Sequence, residues 1–236
     1  MNLIKFWCSM KIGILQTGHA PDALIGETGD YDAMFRHLLG GHGFDFATYA
    51  VVDNQFPDSA EAADGWVITG SRHGAYEDHD WIPPLEALIR EISAKGQPLI
   101  GVCFGHQVIA QALGGKVEKF AGGWAVGRTD YALADGTVTL NAWHQDQVTE
   151  LPEGAQVLGG NDFCKYAVLG YGDRIWTLQP HPEYSTGFIG GLIDTRGPGV
   201  VPDPQLDAAR SELDGPVDNS RIGAFMADFL KRGAAQ

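Results

Sequence analysis

A cysteine between two glycines, placed where an apolar strand gives way to a helix, is the feature that most constrains how this chain folds. Residues 99–102 form the short apolar run that is typical of a buried parallel strand. Apolar side chains then recur at helical spacing up to a Gly-Gly pair, at Phe104, Val108, Ile109, Ala112 and Leu113. Gly101, Cys103 and Gly105 give a Gly-x-Cys-x-Gly pattern, which predicts a sharp turn that presents Cys103 above a sheet.

Two interpretations of Cys103 follow from this position. A helix that begins at the next residue directs its free N–H groups and positive dipole end at the sulfur, which favours the thiolate. Free cysteine is also among the most buried residue types, so the same position suits a core side chain. The two glycines and the immediate helix favour a nucleophile, which requires a base and an oxyanion site elsewhere in the chain.

Composition excludes several classes of partner. The 236 residues carry a formal net charge of -14, which disfavours nucleic acid and anionic membranes as partners because both would repel the chain. No apolar stretch approaches the length of a membrane span. The three cysteines, Cys8, Cys103 and Cys164, show neither Cys-x-x-Cys spacing nor zinc-type pairing with histidine. This sparse set predicts a cytoplasmic protein without a disulfide framework and without a cysteine-based metal site.

The length and pattern predict a single domain over residues 11–236, preceded by an N-terminal extension over residues 1–10. The start has too short an apolar core and no cleavage site for a signal peptide. Because Met10 leads directly into a predicted strand, both Met1 and Met10 are candidates for the natural start.

Strands alternate with helices in the first half of the chain, which predicts right-handed crossovers and a parallel sheet. The predicted order is strand 11–17, loop 18–29, helix 31–39, strand 44–52, strand 65–70, a helix from Ile82 that ends at Lys95-Gly96, strand 99–102 and helix 104–113. After Gly115 alternating patterns predict antiparallel strands and hairpins, and helices follow from about Thr186 to Ile193 and near the C-terminus. The predicted fold class is therefore α/β: a flavodoxin-like doubly wound, mostly parallel sheet with an antiparallel hairpin extension.

A base for the cysteine is available in the tripeptide His-Pro-Glu near the C-terminus. His181 and Glu183 lie two residues apart on an extended segment, so both side chains project to the same side, and Pro182 stiffens the backbone between them. The chain has eight histidines, and one of them near a carboxylate is common. The pair gains significance because it closes a strand at the sheet edge where Cys103 is expected, which predicts a Cys-His-Glu triad.

An oxyanion site is predicted in the glycine-rich loop over residues 69–74. This loop follows a strand expected to neighbour the strand of Cys103, and its glycines allow backbone N–H groups to approach a substrate carbonyl. The N–H groups of Gly70 and Phe104 are the predicted donors. Taken alone, the loop is an ordinary turn.

This order of strand, glycine-rich loop, Gly-x-Cys-x-Gly-His-Gln and late His-Pro-Glu resembles the class I glutamine amidotransferases over residues 11–184. The resemblance is greatest to the glutaminase part of GMP synthetase and its stand-alone relatives, including plant γ-glutamyl peptidases. It implies that Cys103 is the nucleophile, that His181 is first base and then acid, and that Glu183 orients the histidine. The residues that it implies or suggests for substrate binding are Ser71, Arg72, Gln107, His144 and Asp146. For His144 and Asp146 a turn with a local side-chain bond is an equal alternative.

The resemblance implies cleavage of glutamine or another γ-glutamyl compound, without metal or organic cofactor. The sequence contains neither the Ser-Gly-Gly-x-Asp-Ser motif of the ATP-using synthetase domain nor a P-loop. We therefore expect any ammonia acceptor to be bound by a separate synthase subunit. Two alternatives stay open: a γ-glutamyl peptidase with the same catalytic residues, and a non-catalytic binding or thiol-sensor module on the same fold.

Overall fold

The computed structural model of this chain describes residues 9–234. Residues 1–8 of the predicted extension, including Cys8, lie outside the described residues, and Met10 is the first residue of a strand. The strands are β1 (Met10–Leu15), β2 (Phe44–Tyr49), β3 (Gly65–Ile68), β4 (Leu99–Val102), β5 (Lys116–Lys119), β6 (Ala125–Leu133), β7 (Gly136–His144), β8 (Asp146–Glu150), β9 (Ala155–Gly160), β10 (Val168–Tyr171) and β11 (Ile175–Leu178). The α-helices are α1 (Asp22–Thr28), α2 (Tyr31–Leu38), α3 (Ile82–Ala94), α4 (Phe104–Ala112), α5 (Thr186–Thr195), α6 (Asp203–Ser211) and α7 (Asn219–Ala234).

The main sheet has nine strands in the order β2-β1-β3-β4-β11-β10-β9-β6-β7. Its first five strands pair in parallel, and their order is that of a flavodoxin-like doubly wound fold. The remaining strands add on as antiparallel pairs, including the long β6–β7 hairpin, while β5 and β8 form a separate antiparallel pair. The predicted fold class is therefore confirmed.

Apolar side chains alternate between the two faces of the parallel strands. On one face Trp66, Ile68 and Leu99 pack with residues of α3 and α4. On the other face Val67 and Ile100 pack with residues of α2 and α7. Both faces of the parallel strands are covered, which explains why these strands are apolar throughout rather than polar on alternate residues.

The segment predicted as a loop over residues 18–29 contains helix α1, so that prediction is wrong in its second half. Pro21 precedes the helix and Asp22 lies in its first turn, where an acidic side chain favours a helix. The interior Gly26 weakens the local helical signal. A contact with another helix stabilises α1. The side chain of Leu24 packs against Gly191 of α5, where an added Cβ atom would lie 2.3 Å from Cδ2 of Leu24.

Other differences concern the ends of strands. The strands predicted over 11–17, 44–52 and 65–70 end earlier, at Leu15, Tyr49 and Ile68. Alternation places Cys164 within a predicted strand, but the residue lies in the turn between β9 and β10. The side-chain oxygen of Asn161 accepts the N–H groups of both Phe163 and Cys164 there. Such a side-chain-capped turn replaces the pairing that an extended strand would need.

Helix α6 is not predicted by the sequence pattern, and its first residues fall inside the glycine- and proline-rich segment 197–204, for which a loop is the prediction. Its polar composition gives little sequence signal, but Leu206 and Ala209 are buried against the rest of the protein. Across residues 9–234, we find no helix with the length and apolar character needed to cross a bilayer.

The contact between β4 and α4 generates a stability prediction. A Cβ atom at Gly101 would lie 2.5 Å from the carbonyl oxygen of Gly105 and 2.6 Å from Ile109. We expect Gly101→Ala to lower the free energy of unfolding by about 1–3 kcal/mol, because the helix must move off the sheet. Denaturant unfolding followed by circular dichroism measures this change.

Gly187→Ala is the matched control. Gly187 lies exposed in α5, and the nearest atom to an added Cβ there is 3.9 Å away. Alanine favours a helix over glycine by about 1 kcal/mol, so stability should stay the same or rise. Equal destabilisation by the two substitutions would contradict the proposed close contact.

Candidate functional site

Cys103 occupies a strained backbone conformation at the carboxyl end of β4. Its backbone angles are φ 53° and ψ -105°, and among the described residues it shares a positive φ with one other non-glycine residue, Asn54. Its N–H donates to the carbonyl of Leu178 at the end of neighbouring β11, at 2.9 Å. Such strain persists only where the surroundings enforce it and is concentrated at functional sites. The predicted sharp turn between strand and helix is present.

His181 and Glu183 form a buried pair just after β11. The Nδ1 atom of His181 lies 2.7 Å from Oε1 of Glu183, and their side chains are 2% and 1% exposed. The ring of Tyr184 stacks on the imidazole at 3.8 Å between centroids and 5° between planes. The backbone N–H of His181 donates to Asn141 of β7 at 2.8 Å. The carboxylate and the stacked ring therefore fix the orientation of the imidazole, and the bond to Asn141 fixes the backbone that carries it.

The charges around His181 favour its protonated form. Burial by itself would lower the pKa of His181, but the neighbouring Glu183 and Cys103 raise it to about 10. The imidazole also lies close to Gly70, where an added Cβ atom would be 3.1 Å from Cε1 of His181 and 3.7 Å from Cβ of Cys103. The structure thus brings Cys103, His181, Glu183 and Gly70 together, as the sequence predicts.

The backbone around Gly70 is held by two buried threonines. The Oγ1 atom of Thr17 lies 2.9 Å from the carbonyl oxygen of Thr69 and 3.0 Å from that of Gly70. The N–H of Thr17 donates to Oγ1 of Thr69 at 3.0 Å, and the N–H of Gly105 donates to the Thr69 carbonyl at 3.1 Å. These bonds tie the loop after β3 to the first turn of α4.

The two predicted oxyanion donors are available for such a role. Within residues 9–234, neither the N–H of Gly70 nor that of Phe104 donates a hydrogen bond to the protein. The side chain of Phe104 is fully buried and packs on Trp81 at 5.4 Å between ring centroids. Phe104 thus presents only its backbone toward Cys103.

A cavity of about 290 Å³ opens in front of Cys103 and His181. All five residues suggested for substrate binding line it, namely Ser71, Arg72, Gln107, His144 and Asp146. Glu183 lies behind His181 and does not line the cavity. The cavity sits at the carboxyl ends of β3, β4 and β11, where open α/β sheets bind their ligands.

Three of the cavity residues are linked to one another. The amide nitrogen of Gln107 donates to the carbonyl of Asp146 at 2.9 Å and to Oε1 of Gln179 at 3.1 Å. Nδ1 of His144 lies 3.2 Å from that same carbonyl, and burial lowers the pKa of His144 to about 3. The local bond predicted as the alternative for His144 and Asp146 is present, and both residues also face the cavity.

Several residues of the cavity wall are not predicted by the sequence pattern. Lys119 and Arg196 line the cavity but lie outside the motifs, and within the described part of the chain neither they nor Arg72 take part in an ion pair. Trp124 and Trp143 form an aromatic wall, with ring centroids 5.9 Å apart. The alternating pattern that predicts β6 and β7 gives no indication of which residues turn toward a ligand.

Comparison with known proteins agrees with this geometry. The model of the family "glutamine amidotransferase class-I" matches residues 32–191. Gamma-glutamyl peptidase 3 of Arabidopsis thaliana is 31% identical over 183 residues, covering 70% of this chain and 74% of that protein. One subunit of the glutamine-hydrolysing GMP synthase of Halobacterium salinarum is 32% identical over 170 residues, covering 68% of this chain and 87% of its own length.

A crystal structure of a glutamine amidotransferase from Thermotoga maritima has the same fold. It superposes with a TM-score of 0.71 and covers 97% of this chain and 99% of its own, at 20% sequence identity. The family model spans well over half of this chain, and its match includes the strained cysteine and the His-Pro-Glu segment. The chain therefore belongs to the class I glutamine amidotransferase family.

Proposed function

We propose that this chain hydrolyses γ-glutamyl amides through a thioester on Cys103. One observation carries the proposal: a strained cysteine beside a buried imidazole whose other nitrogen bonds a carboxylate at 2.7 Å. A nucleophile, a base and a group that orients the base are the three parts of a hydrolytic triad. Their placement at one edge of the sheet, beside a cavity, supports catalysis over a binding or thiol-sensing role.

In the proposed reaction the Cys103 thiolate attacks the γ-carbonyl carbon of the substrate. The N–H groups of Gly70 and Phe104 stabilise the oxygen as its negative charge develops. Protonated His181 donates its proton to the nitrogen, the C–N bond breaks, and ammonia or an amine leaves. Water then loses a proton to His181 and attacks the thioester, which releases glutamate and regenerates the thiolate.

The glutamyl group would be held by the polar residues around the cavity. The amide nitrogen of Gln107 is already bonded within the protein, so its oxygen is the atom left to accept the amide N–H of a substrate. Asp146 provides a carboxylate for the α-amino group, while Ser71 and Arg72 provide donors for the α-carboxylate. Burial raises the pKa of the Asp146 carboxyl, and a bound ammonium group would oppose that shift.

Glutamine is the first candidate substrate, with ammonia passed to an acceptor on a separate synthase protein. The similarity to part of a glutamine-hydrolysing GMP synthase supports this assignment. Glutaminases of this family commonly hydrolyse glutamine slowly until a synthase partner docks near the catalytic site. We therefore expect modest turnover of free glutamine by the isolated chain.

A γ-glutamyl peptide is the second candidate substrate, and the cations of the cavity wall favour it. Lys119 and Arg196 suit the carboxylate of a leaving amino acid, which ammonia lacks. The similarity to a γ-glutamyl peptidase gives further support. In this case no partner is needed for full turnover.

Cysteine labelling tests the nucleophile. In a Cys8→Ser background, a glutamine analogue with a chloroketone in place of the amide should modify Cys103 alone, as located by peptide mass spectrometry. Cys164 should stay unmodified, because it is 2% exposed and burial raises the pKa of its thiol to about 12. Cys164→Ser is the control and should keep its activity. Equal labelling of Cys164, or turnover by Cys103→Ala, would contradict the assignment.

The pH dependence of kcat/KM tests the roles of His181 and Glu183. His181→Ala should lower kcat by about 10²–10⁴-fold, because no group then moves the proton. Glu183→Gln should keep part of the activity, since an amide still hydrogen-bonds the ring. Glu183 raises the pKa of His181, so its neutralisation should move the alkaline limb of the profile to lower pH.

Glu61→Gln is the matched control for the charge change. Glu61 is 72% exposed, and its removal should leave the pH profile unchanged. If Glu183→Gln matched His181→Ala in both turnover and thioester formation, Glu183 would need a more direct role than orientation.

Substrate comparison decides between the two candidates. For the isolated chain we expect a kcat/KM on glutamine below about 10⁴ M⁻¹s⁻¹, the lower end of the ordinary range for enzymes. A panel of γ-glutamyl dipeptides, with free ammonia and free amine measured separately, shows which leaving group is preferred. A glutamine value at or above that limit would indicate a glutaminase that needs neither a partner nor a peptide.

A further inference from the structure

Three metal-ligating side chains converge beside the cavity, outside the proposed triad. Nδ1 of His73 and Nε2 of His79 lie 3.4 Å and 2.8 Å from the same carboxylate oxygen of Glu77. The three ligand atoms all lie within 4.8 Å of one another. The proposed reaction uses none of these side chains.

The spacing of these atoms suits a single ion. Zinc binds imidazole nitrogen and carboxylate oxygen at about 2.0–2.2 Å, so donors on one tetrahedral ion lie about 3.4 Å apart. Small side-chain movements therefore bring all three atoms into coordination. Two imidazoles and one carboxylate are ligands that favour zinc and similar transition metals over magnesium or calcium.

The surroundings of the cluster allow an ion to enter and hold the rings in place. The side chains of His73, Glu77 and His79 are 19%, 43% and 32% exposed. Trp81 packs on both imidazoles, with ring centroids 5.9 Å from His73 and 6.0 Å from His79. Trp81 also packs on Phe104, the residue after Cys103.

We propose that His73, Glu77 and His79 form a binding site for a divalent transition-metal ion of the zinc class, with a fourth position for water or a ligand. Gly70, Ser71 and Arg72 are followed directly by the segment over residues 73–79. The ion links the two ends of this segment, His73 and His79. His73 and Glu77 also line the cavity. Metal binding there stiffens this part of the cavity wall without taking part in the attack on the amide.

Direct metal titration tests this site. The full chain carries Cys103→Ser, so that a thiolate paired with His181 does not bind the ion and the result does not depend on the proposed reaction. Co²⁺ binding is followed by visible absorption and Zn²⁺ by competition. We expect one equivalent to bind, and each of His73→Ala, Glu77→Gln and His79→Ala to weaken binding by at least about 10-fold, the minimum effect known for groups that support a metal ligand.

His37→Ala is the matched control, because His37 is an exposed histidine on α2, outside the cluster. It should bind Co²⁺ with unchanged affinity. Zn²⁺ should also raise the thermal unfolding midpoint of the background protein and of His37→Ala, but not that of His79→Ala, since an ion that binds only the folded state stabilises it.

Two results would overturn the proposal. One is the absence of Co²⁺ binding by the background protein up to millimolar concentration while its circular dichroism is native. The other is equal affinity in His79→Ala and His37→Ala, which would place the ion elsewhere. The partial exposure of all three ligands makes their variants compatible with folding, and circular dichroism without metal verifies this.

Discussion

The close approach of helix α4 to strands β3 and β4 is the constraint on which the site depends. A Cβ atom at Gly105 would lie 2.4 Å from the carbonyl oxygen of Ile68, and one at Gly101 would lie 2.5 Å from that of Gly105. Only glycine at both positions lets the helix begin directly above the sheet. One residue, Cys103, separates the last residue of β4 from the first residue of α4, and it takes up the strain with a positive φ. The position of the sulfur is thus a consequence of backbone packing.

Parallel pairing converts that local feature into a site with several parts. β4 lies between β3 and β11, so the segments after these three strands meet at one edge although they are far apart in sequence. The β3 segment contributes the N–H of Gly70, and the β11 segment contributes His181. Thr17, which follows β1, secures the Gly70 peptide from the next strand along. Four strand ends therefore define the geometry around the sulfur.

The sequence predicts the parts of this arrangement that local patterns control. Glycine spacing, the apolar run of β4 and the His-Pro-Glu tripeptide are local, and so the turn, the helix and the buried pair were predictable. Helix α1 and the turn at Cys164 were not, because a contact with α5 stabilises the first and a side chain of Asn161 defines the second. Lys119 and Arg196 reach the cavity only through tertiary folding, and no spacing rule connects them to the motifs.

Two buried histidines at this site show how the surroundings determine where a proton is held. His144 and His181 are both almost fully buried, and burial lowers the pKa of each. Only His181 has a carboxylate at 2.7 Å, and that charge, together with the Cys103 sulfur, reverses the direction of its shift. His144 bonds a neutral carbonyl and stays uncharged. A protonated ring consequently stands beside the sulfur, next to a neutral one. The fold buries both rings alike, so the carboxylate and the sulfur beside His181 are what separate the two histidines.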